Sequence, residues 1–339
     1  MTSREHFHSI LQGRSASSGF WHGNPHPDSL PVYCSHFGVQ DDFGLSKALG
    51  DTLVWAMPEF WDCWKHPQGK PMIDTDAGQT RRSLNQGGVF AQCEDVAQVE
   101  RFDWPDVKYL DFTQAQSALR EREAQGFAVL SGMWSPFFHH VADFFGMDNY
   151  FIKMYTDPDV VQAVTEHVVD FYLQANELWF SRTAAHMDAF FFGNDFGSQL
   201  DMLISPELFG RFVLPYFKRL IDQAKRHGLP VVLHSCGAID RIIPQLIDAG
   251  VDALHPIQAL ARNMEAENLA RKYNGKLVFI GGVDTQRLLP FGTPQQVRDE
   301  VRRLRDLFGP NYVVSPSHEA LLPNVPPENL AAMAEAAHE

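Results

Sequence analysis

The stretch PVVLHSCGAID, residues 230–240, divides sharply in two. Its first half is an apolar run with paired β-branched valines, the pattern of a short strand buried on both faces. Its second half presents an imidazole, a hydroxyl and a thiol, followed by glycine. A buried strand that ends in reactive side chains is expected where parallel strands deliver their C-terminal ends to one face of an α/β fold.

Working outward, the same pattern recurs. FAVLSG (127–132), AFFFGND (189–195), VDALHPIQ (251–258), LVFIGGVD (277–284) and YVVSPSHE (312–319) read as further buried strands. Helical stretches lie between them. In TPQQVRDEVRRLRDLFG (293–309), Thr293 is placed to N-cap, Pro294 opens the helix and Gln296 completes a capping box. Val297, Val301, Leu304 and Phe308 form one apolar face, and Gly309 ends the helix. Asp157-Pro158 opens another helix, with Val161, Val164, Val168 and Phe171 on its stripe, and Ser205-Pro206-Glu207 opens a third. LPVYCSH (30–36) reads as a seventh strand. Strands alternating with helices predict βα units around a parallel sheet. The number of units suits an α/β (β/α)8 TIM-type barrel better than an open sheet, and no GxGxxG follows an early strand. One barrel domain is expected over 1–339: an elaborated N-terminal segment rich in aromatics, Pro and Gly over 1–105, and most of the barrel over 106–339.

Bulk composition narrows the partners. Lys and Arg total 28 against 42 Asp and Glu, a net charge of -14, which argues against nucleic acid or an anionic membrane as the main partner. Cys34, Cys63, Cys93 and Cys236 show no paired spacing, so no disulfide framework is expected. The N-terminus lacks a signal-peptide pattern, and no apolar run approaches the ~20 residues of a membrane helix, so a cytoplasmic location is expected.

The polar residues fall at the strand ends. In chain order they are Ser35 and His36; Gly132, Trp134 and Ser135; Asn194 and Asp195; His234 and Cys236; His255 and Gln258; Asp284 and Gln286; then Ser317, His318 and Glu319. In extended chain, residues i and i+2 face the same way, so His234 and Cys236 point together and Gly237 lets the backbone turn off. Imidazole and thiolate are both zinc ligands, and His318 is the candidate third, leaving an open position for a thiol, hydroxyl or water. The alternatives are a small buried cysteine beside a hydrogen-bonded core histidine. His318 serves equally as an acid/base group. Asp195 is either catalytic or a helix cap, and Asp284 either binds substrate or bonds its loop. Asp195, His318 and Glu319 are the catalytic candidates. His36, Trp134, Asn194, Gln199, Gln258 and Asp284 are the substrate-binding candidates. Phe20, Trp21, His22 and Trp134 are candidates to wall a cavity.

GNDFGSQLDMLISPELFGRFVLPYFKRL (193–220), HSCGAIDRIIPQLIDAGVDALHPIQ (234–258), GGVDTQRLLPFGTPQQVRDEV (281–301) and SPSHEALLPNVPPEN (315–329) resemble the uroporphyrinogen decarboxylase superfamily, most strongly from about 127 to 333. That superfamily also holds the cobalamin-dependent zinc methyltransferases. The resemblance implies the barrel with its cleft at the C-terminal strand ends. The decarboxylases carry an arginine-rich N-terminal signature that grips substrate carboxylates. Here VYCSHFGVQDDFG (32–44) stands in its place with no arginine. The methyltransferase branch carries His-x-Cys, matched by His234 and Cys236, and a later cysteine. Here SPSHEALLP offers His318 near that position, a histidine as in the decarboxylases. Two histidines and one cysteine carry one negative charge less than one histidine and two cysteines, so a bound thiolate would be less nucleophilic.

The resemblance implies a methyltransferase that uses zinc and a corrinoid presented by a separate protein, since no Asp-x-His-x-x-Gly cobalt-ligand motif is fused here. Its substrate would be a small thiol, methylamine or methoxy compound. The alternative is a metal-free decarboxylase, a carboxy-lyase acting on a porphyrinogen or smaller acid, with Asp195 or His318 handling the proton. A non-catalytic barrel is the third reading.

Overall fold

The computed structural model describes residues 1–75 and 83–339. Eight parallel strands form one sheet: β1 (Gly19–Phe20), β2 (Leu53–Trp55), β3 (Ala128–Ser131), β4 (Ala189–Gly193), β5 (Val231–His234), β6 (Ala253–Ile257), β7 (Val278–Val283) and β8 (Tyr312–Pro316). Their order is β1-β8-β7-β6-β5-β4-β3-β2. This is the TIM-type barrel read from the sequence.

The six strands expected from the apolar runs all form, each shorter than its run. Residues beyond them, such as Asp195 and Cys236, leave the ladder and enter the βα loops.

The N-terminal segment does more than cover the barrel. It supplies β1 and β2, and the expected strand at 30–36 is corrected. Leu30–Phe37 is a helix, with Pro31 in its first turn and left-handed Gly38 at its C-terminus. Proline at the start and glycine at the end are helix punctuation, and the apolar composition concealed it. The strand that closes the barrel is Leu53–Trp55, three residues long.

The seam between β1 and β2 is held by specific bonds. The Thr52 amide donates to the Phe20 carbonyl at 2.7 Å, and the Phe20 amide donates to Thr52 Oγ1 at 3.0 Å. Two residues beyond Phe20, the His22 amide donates to Asp51 Oδ1 at 3.1 Å. The buried His22 ring lies between Asp51 Oδ2 at 2.6 Å and Asp42 Oδ1 at 3.1 Å. His22 therefore fastens the seam.

Two apolar layers follow from strand alternation. Leu53, Leu130, Phe191, Val232, Ile280 and Val313 point into the barrel, where Phe7 and Ile10 of the helix Ser3–Leu11 join them. That helix anchors at the strand starts, where the Arg4 amide donates to the Gly126 carbonyl and Asp188 accepts from the Arg4 guanidinium. The alternate strand residues pack outward on the helices. The expected helices behave as their patterns imply. Thr293 and Gln296 form the capping box of Pro294–Phe308, whose Val297, Val301, Leu304 and Phe308 are buried. Pro158–Thr183 buries its Val161, Val164, Val168 and Phe171 stripe. Among the described residues no helix is long and apolar enough to cross a membrane, and the four cysteines are free.

Candidate metal centre at the mouth of the barrel

β5 ends at His234, and Cys236 follows in the loop. Gly237, at φ +90°, turns the chain in a conformation that suits glycine. The two side chains face one another as the sequence predicts, with Cys236 Sγ 3.5 Å from His234 Nε2. Asp195, just past β4, reaches across. Its Oδ1 accepts the Cys236 amide at 2.8 Å and lies 3.4 Å from His234 Nε2. Asp195 therefore caps no helix, and its carboxylate braces the neighbouring loop.

From β8, His318 and Glu319 approach the other side. Ligand atoms of Asp195, His234 and Cys236 lie within 4.8 Å of one another, as do those of Cys236, His318 and Glu319. Cys236 belongs to both groups. Glu319 Oε2 is buried with no hydrogen-bond partner, 3.7 Å from His234 Nδ1 and 3.6 Å from His318 Nδ1. A buried carboxylate oxygen without a donor is costly, and a cation at this point would satisfy it. Two nitrogens, a sulfur and carboxylate oxygens are a donor set that zinc accepts. The residues present thus fit the metal.

The electrostatics agree. Burial disfavours a charged His234, yet Asp195, Cys236 and Glu319 together push its pKa well above the ordinary imidazole value. Burial also works to raise the Asp195 carboxyl, but His234, the Cys236 amide and His139 outweigh it and hold the acid below its usual range. Cys236 raises His318, with burial opposing. Surroundings that hold a proton on His234 would equally hold a metal cation in its place, so metal and proton compete.

Beneath the cluster lies an aromatic floor. Trp134 stands 5.4 Å from the His234 ring and 5.4 Å from Trp55. Trp21 packs 5.0 Å from His255, and Phe191 contacts both Trp55 and Trp134. Trp21 and Trp55 also line a separate cavity of about 250 Å³, with Asp42, Glu59 and Arg122 among its other walls. Beside His318 opens a cavity of about 370 Å³, lined by Gln258, Thr285, Gln286, Ser317, Leu322 and Asn324 among others. No lysine or arginine lines it among the described residues.

The remaining candidates distribute unevenly. Gln258 lines that cavity while its Oε1 accepts the Gly237 amide at 2.6 Å. Asn194 is buried with its amide spent on backbone, accepting from the Phe138 amide and donating to the Ser135 carbonyl. Asp284 accepts from the amides of Gln286, Arg287 and Leu288, so its carboxylate bonds its own loop. Gln199 is exposed on the loop after β4. His36 is exposed on the helix Leu30–Phe37, its ring against Phe37, and not at a strand end. Phe20 lies in the outer core, its ring edge-on to His338. Sequence reasoning missed His139, whose Nε2 accepts the Asp195 amide at 3.0 Å, and Trp55. His139 sits inside a helix that carries no motif, and Trp55 lies on the strand that went unread.

The uroporphyrinogen decarboxylase family model matches residues 85–339, well over half of the chain. The chain belongs to that family. The curated relatives it matches include both methyltransferases and uroporphyrinogen decarboxylases. A methylcobamide:CoM methyltransferase, MtbA, of Methanosarcina mazei is 23% identical over 63% of this chain and 59% of its own length. A methylated-thiol–coenzyme M methyltransferase of the same organism is 27% identical over 64% of this chain and 55% of its own. A uroporphyrinogen decarboxylase of Methylococcus capsulatus is 26% identical over 55% of this chain and 50% of its own. The chain thus spans little more than half the length of these relatives. Among solved structures, a methyltransferase from Methanosarcina mazei superposes with a TM-score of 0.69 at 14% identity, covering 100% of this chain and 98% of that one. That likeness concerns the fold.

Proposed function

We propose that this member of the family is a zinc-dependent, corrinoid-type methyltransferase. It would move a methyl group between a small thiol, methylamine or methoxy compound and a corrinoid carried by a separate protein. The observation that carries the reading is Cys236, one thiol shared by two donor groups at the C-terminal mouth of the barrel. Relatives named as methylcobamide and methylated-thiol methyltransferases support the class.

His234, Cys236 and His318 would hold the zinc, with Asp195 and Glu319 as the adjoining carboxylates. Zinc, when bound, supplies activation of an acceptor thiol or hydroxyl at neutral pH. The protein's own residues do the rest. Asp195 fixes the loop that carries Cys236 by accepting its amide. His139 fixes Asp195 in turn. The rings of Trp21, Trp55, Trp134 and Phe191 pack against one another and against His234 and His255, and this apolar surround lowers the local dielectric. The cavity beside His318 has the size of a small-molecule site.

A second reading, a metal-free carboxy-lyase, draws on the decarboxylase relatives and on His318 or Asp195 as proton donor. A porphyrinogen with many carboxylates calls for cationic side chains, and among the described residues no lysine or arginine lines the cavity beside His318.

Elemental analysis of purified wild type, Cys236→Ala and His318→Ala proteins tests the primary reading. About one zinc per chain, lost in both variants, is the expected outcome. No metal in the wild type, even after zinc reconstitution, overturns it and sends the search to carboxylic acid substrates.

A further inference from the structure

His234 and His255 stand directly opposite one another in the β5–β6 ladder. Their rings meet at 5.1 Å between centroids, with His234 Nδ1 and His255 Nδ1 3.0 Å apart. Two nitrogens at that distance share one proton, so one ring donates and the other accepts. His255 is wholly buried, against Trp21 at 5.0 Å and Phe191 at 5.6 Å. Its Nε2 is buried with no hydrogen-bond partner. A buried polar atom left without a partner calls for an explanation.

We infer that His255 is a positioning residue that accepts the Nδ1 proton of His234 and so leaves His234 Nε2, the atom facing Cys236 and Asp195, as the one that can exchange its proton for a cation. The inference rests on the zinc reading for its affinity consequence and on the histidine pair alone for its polarity. His234 Nε2 is the atom that faces Cys236 Sγ at 3.5 Å and Asp195 Oδ1 at 3.4 Å. For that nitrogen to offer a lone pair to a cation, the ring's proton must sit on Nδ1. Glu319 Oε2, at 3.7 Å, is too far from Nδ1 to accept it well. His255 Nδ1, at 3.0 Å, is the acceptor in reach. Acceptance there places the proton of His255 on its own Nε2, the partnerless atom among the aromatic rings. The opposite polarity would leave Nδ1 bare, and the ring's last proton would stay on Nε2 and block that atom. Metal-binding histidines commonly give their second N–H to a carboxylate or a carbonyl. Here a second histidine takes that place, and the packing of Trp21 and Phe191 holds its ring still.

The test uses the full chain. Long-range ¹H–¹⁵N spectra of the wild type report which nitrogen of each ring carries the proton. His255 protonated on Nε2 and bare on Nδ1 is expected. A proton on His255 Nδ1 overturns the inference. Zinc affinity, by competition with a chromophoric chelator, is then compared for His255→Leu and His255→Asn. Leu keeps apolar bulk and removes the acceptor. Asn places an amide oxygen near the position of Nδ1. A loss of roughly 10–100-fold in His255→Leu is expected, largely recovered in His255→Asn. Equal affinity in wild type and His255→Leu overturns the inference. If His255→Leu fails to fold, His255→Asn and the wild-type spectra decide it. A wild type that binds no zinc overturns the proposed function, and the proton position in the metal-free spectra still settles the pair.

Discussion

Gly237 and Gly197 meet backbone against backbone. A Cβ at Gly237 would lie 2.2 Å from the carbonyl oxygen of Gly197, and Gly237 has φ +90°. The loop carrying Cys236 and the loop carrying Asp195 are thus locked together at a point where no side chain fits. Gly237→Ala must force them apart, since the obstacle is backbone. The left-handed conformation alone costs about 1–3 kcal/mol for a residue with a Cβ. A lowered Tm and loss of zinc binding are expected, measured by calorimetry and metal content. Unchanged metal content would show that the two loops need not be locked for the site to form.

Asp195 separates charge from geometry. Asp195→Asn keeps an oxygen able to accept the Cys236 amide but removes the carboxylate beside His234. The fold should survive, with zinc affinity down by roughly 10–100-fold, as for supporting groups around a metal. Asp195→Ala should lose more, because the Cys236 amide also loses its acceptor. A chelator-competition titration ranks the three proteins, and the order wild type, Asn, Ala is the expected one.

His22 makes the barrel seam pH-sensitive. Burial works against its charge, but Asp51 and Asp42 outweigh it and raise the pKa from 6.5 to about 10. A histidine raised on folding stabilises fully below its unfolded pKa of about 6.5, and that contribution fades as pH climbs toward 10. Urea denaturation at pH 6, 8 and 10 should therefore show progressive loss. His22→Ala should cost about 3–5 kcal/mol at pH 6, because it leaves Asp51 buried without its partner. It should also flatten the pH dependence. An equally steep pH dependence in the variant would place its origin elsewhere.

Thr293→Ala serves as a distant control. It removes the N-cap bond to the Gln296 amide and half of the capping box. The expected cost is about 1 kcal/mol with zinc binding untouched, read from denaturant midpoints and metal titration.

Much of the barrel was legible because its strands β3 to β8 are buried on both faces and announce themselves as apolar runs. His234 and Cys236 were legible as a pair because side chains two apart at a strand end share a direction. His318 and Glu319 were legible as residues at another strand end. β1 and β2 were not, since two or three residues carry no readable period, and the apolar stretch between them is a helix. His36 fell with that misreading.

By itself the sequence determined the βα alternation, the helix caps at Thr293 and Gly309, and the placing of polar side chains at strand ends. These are local consequences of burial pattern and turn chemistry. Only the tertiary structure decided which of those residues meet. It joined Asp195 and His139 to the Cys236 loop, spent Asn194 and Asp284 on backbone amides, and set His255 against His234. The reason is that barrel closure and strand stagger set distances between residues from separate βα units, and no local sequence signal encodes those distances.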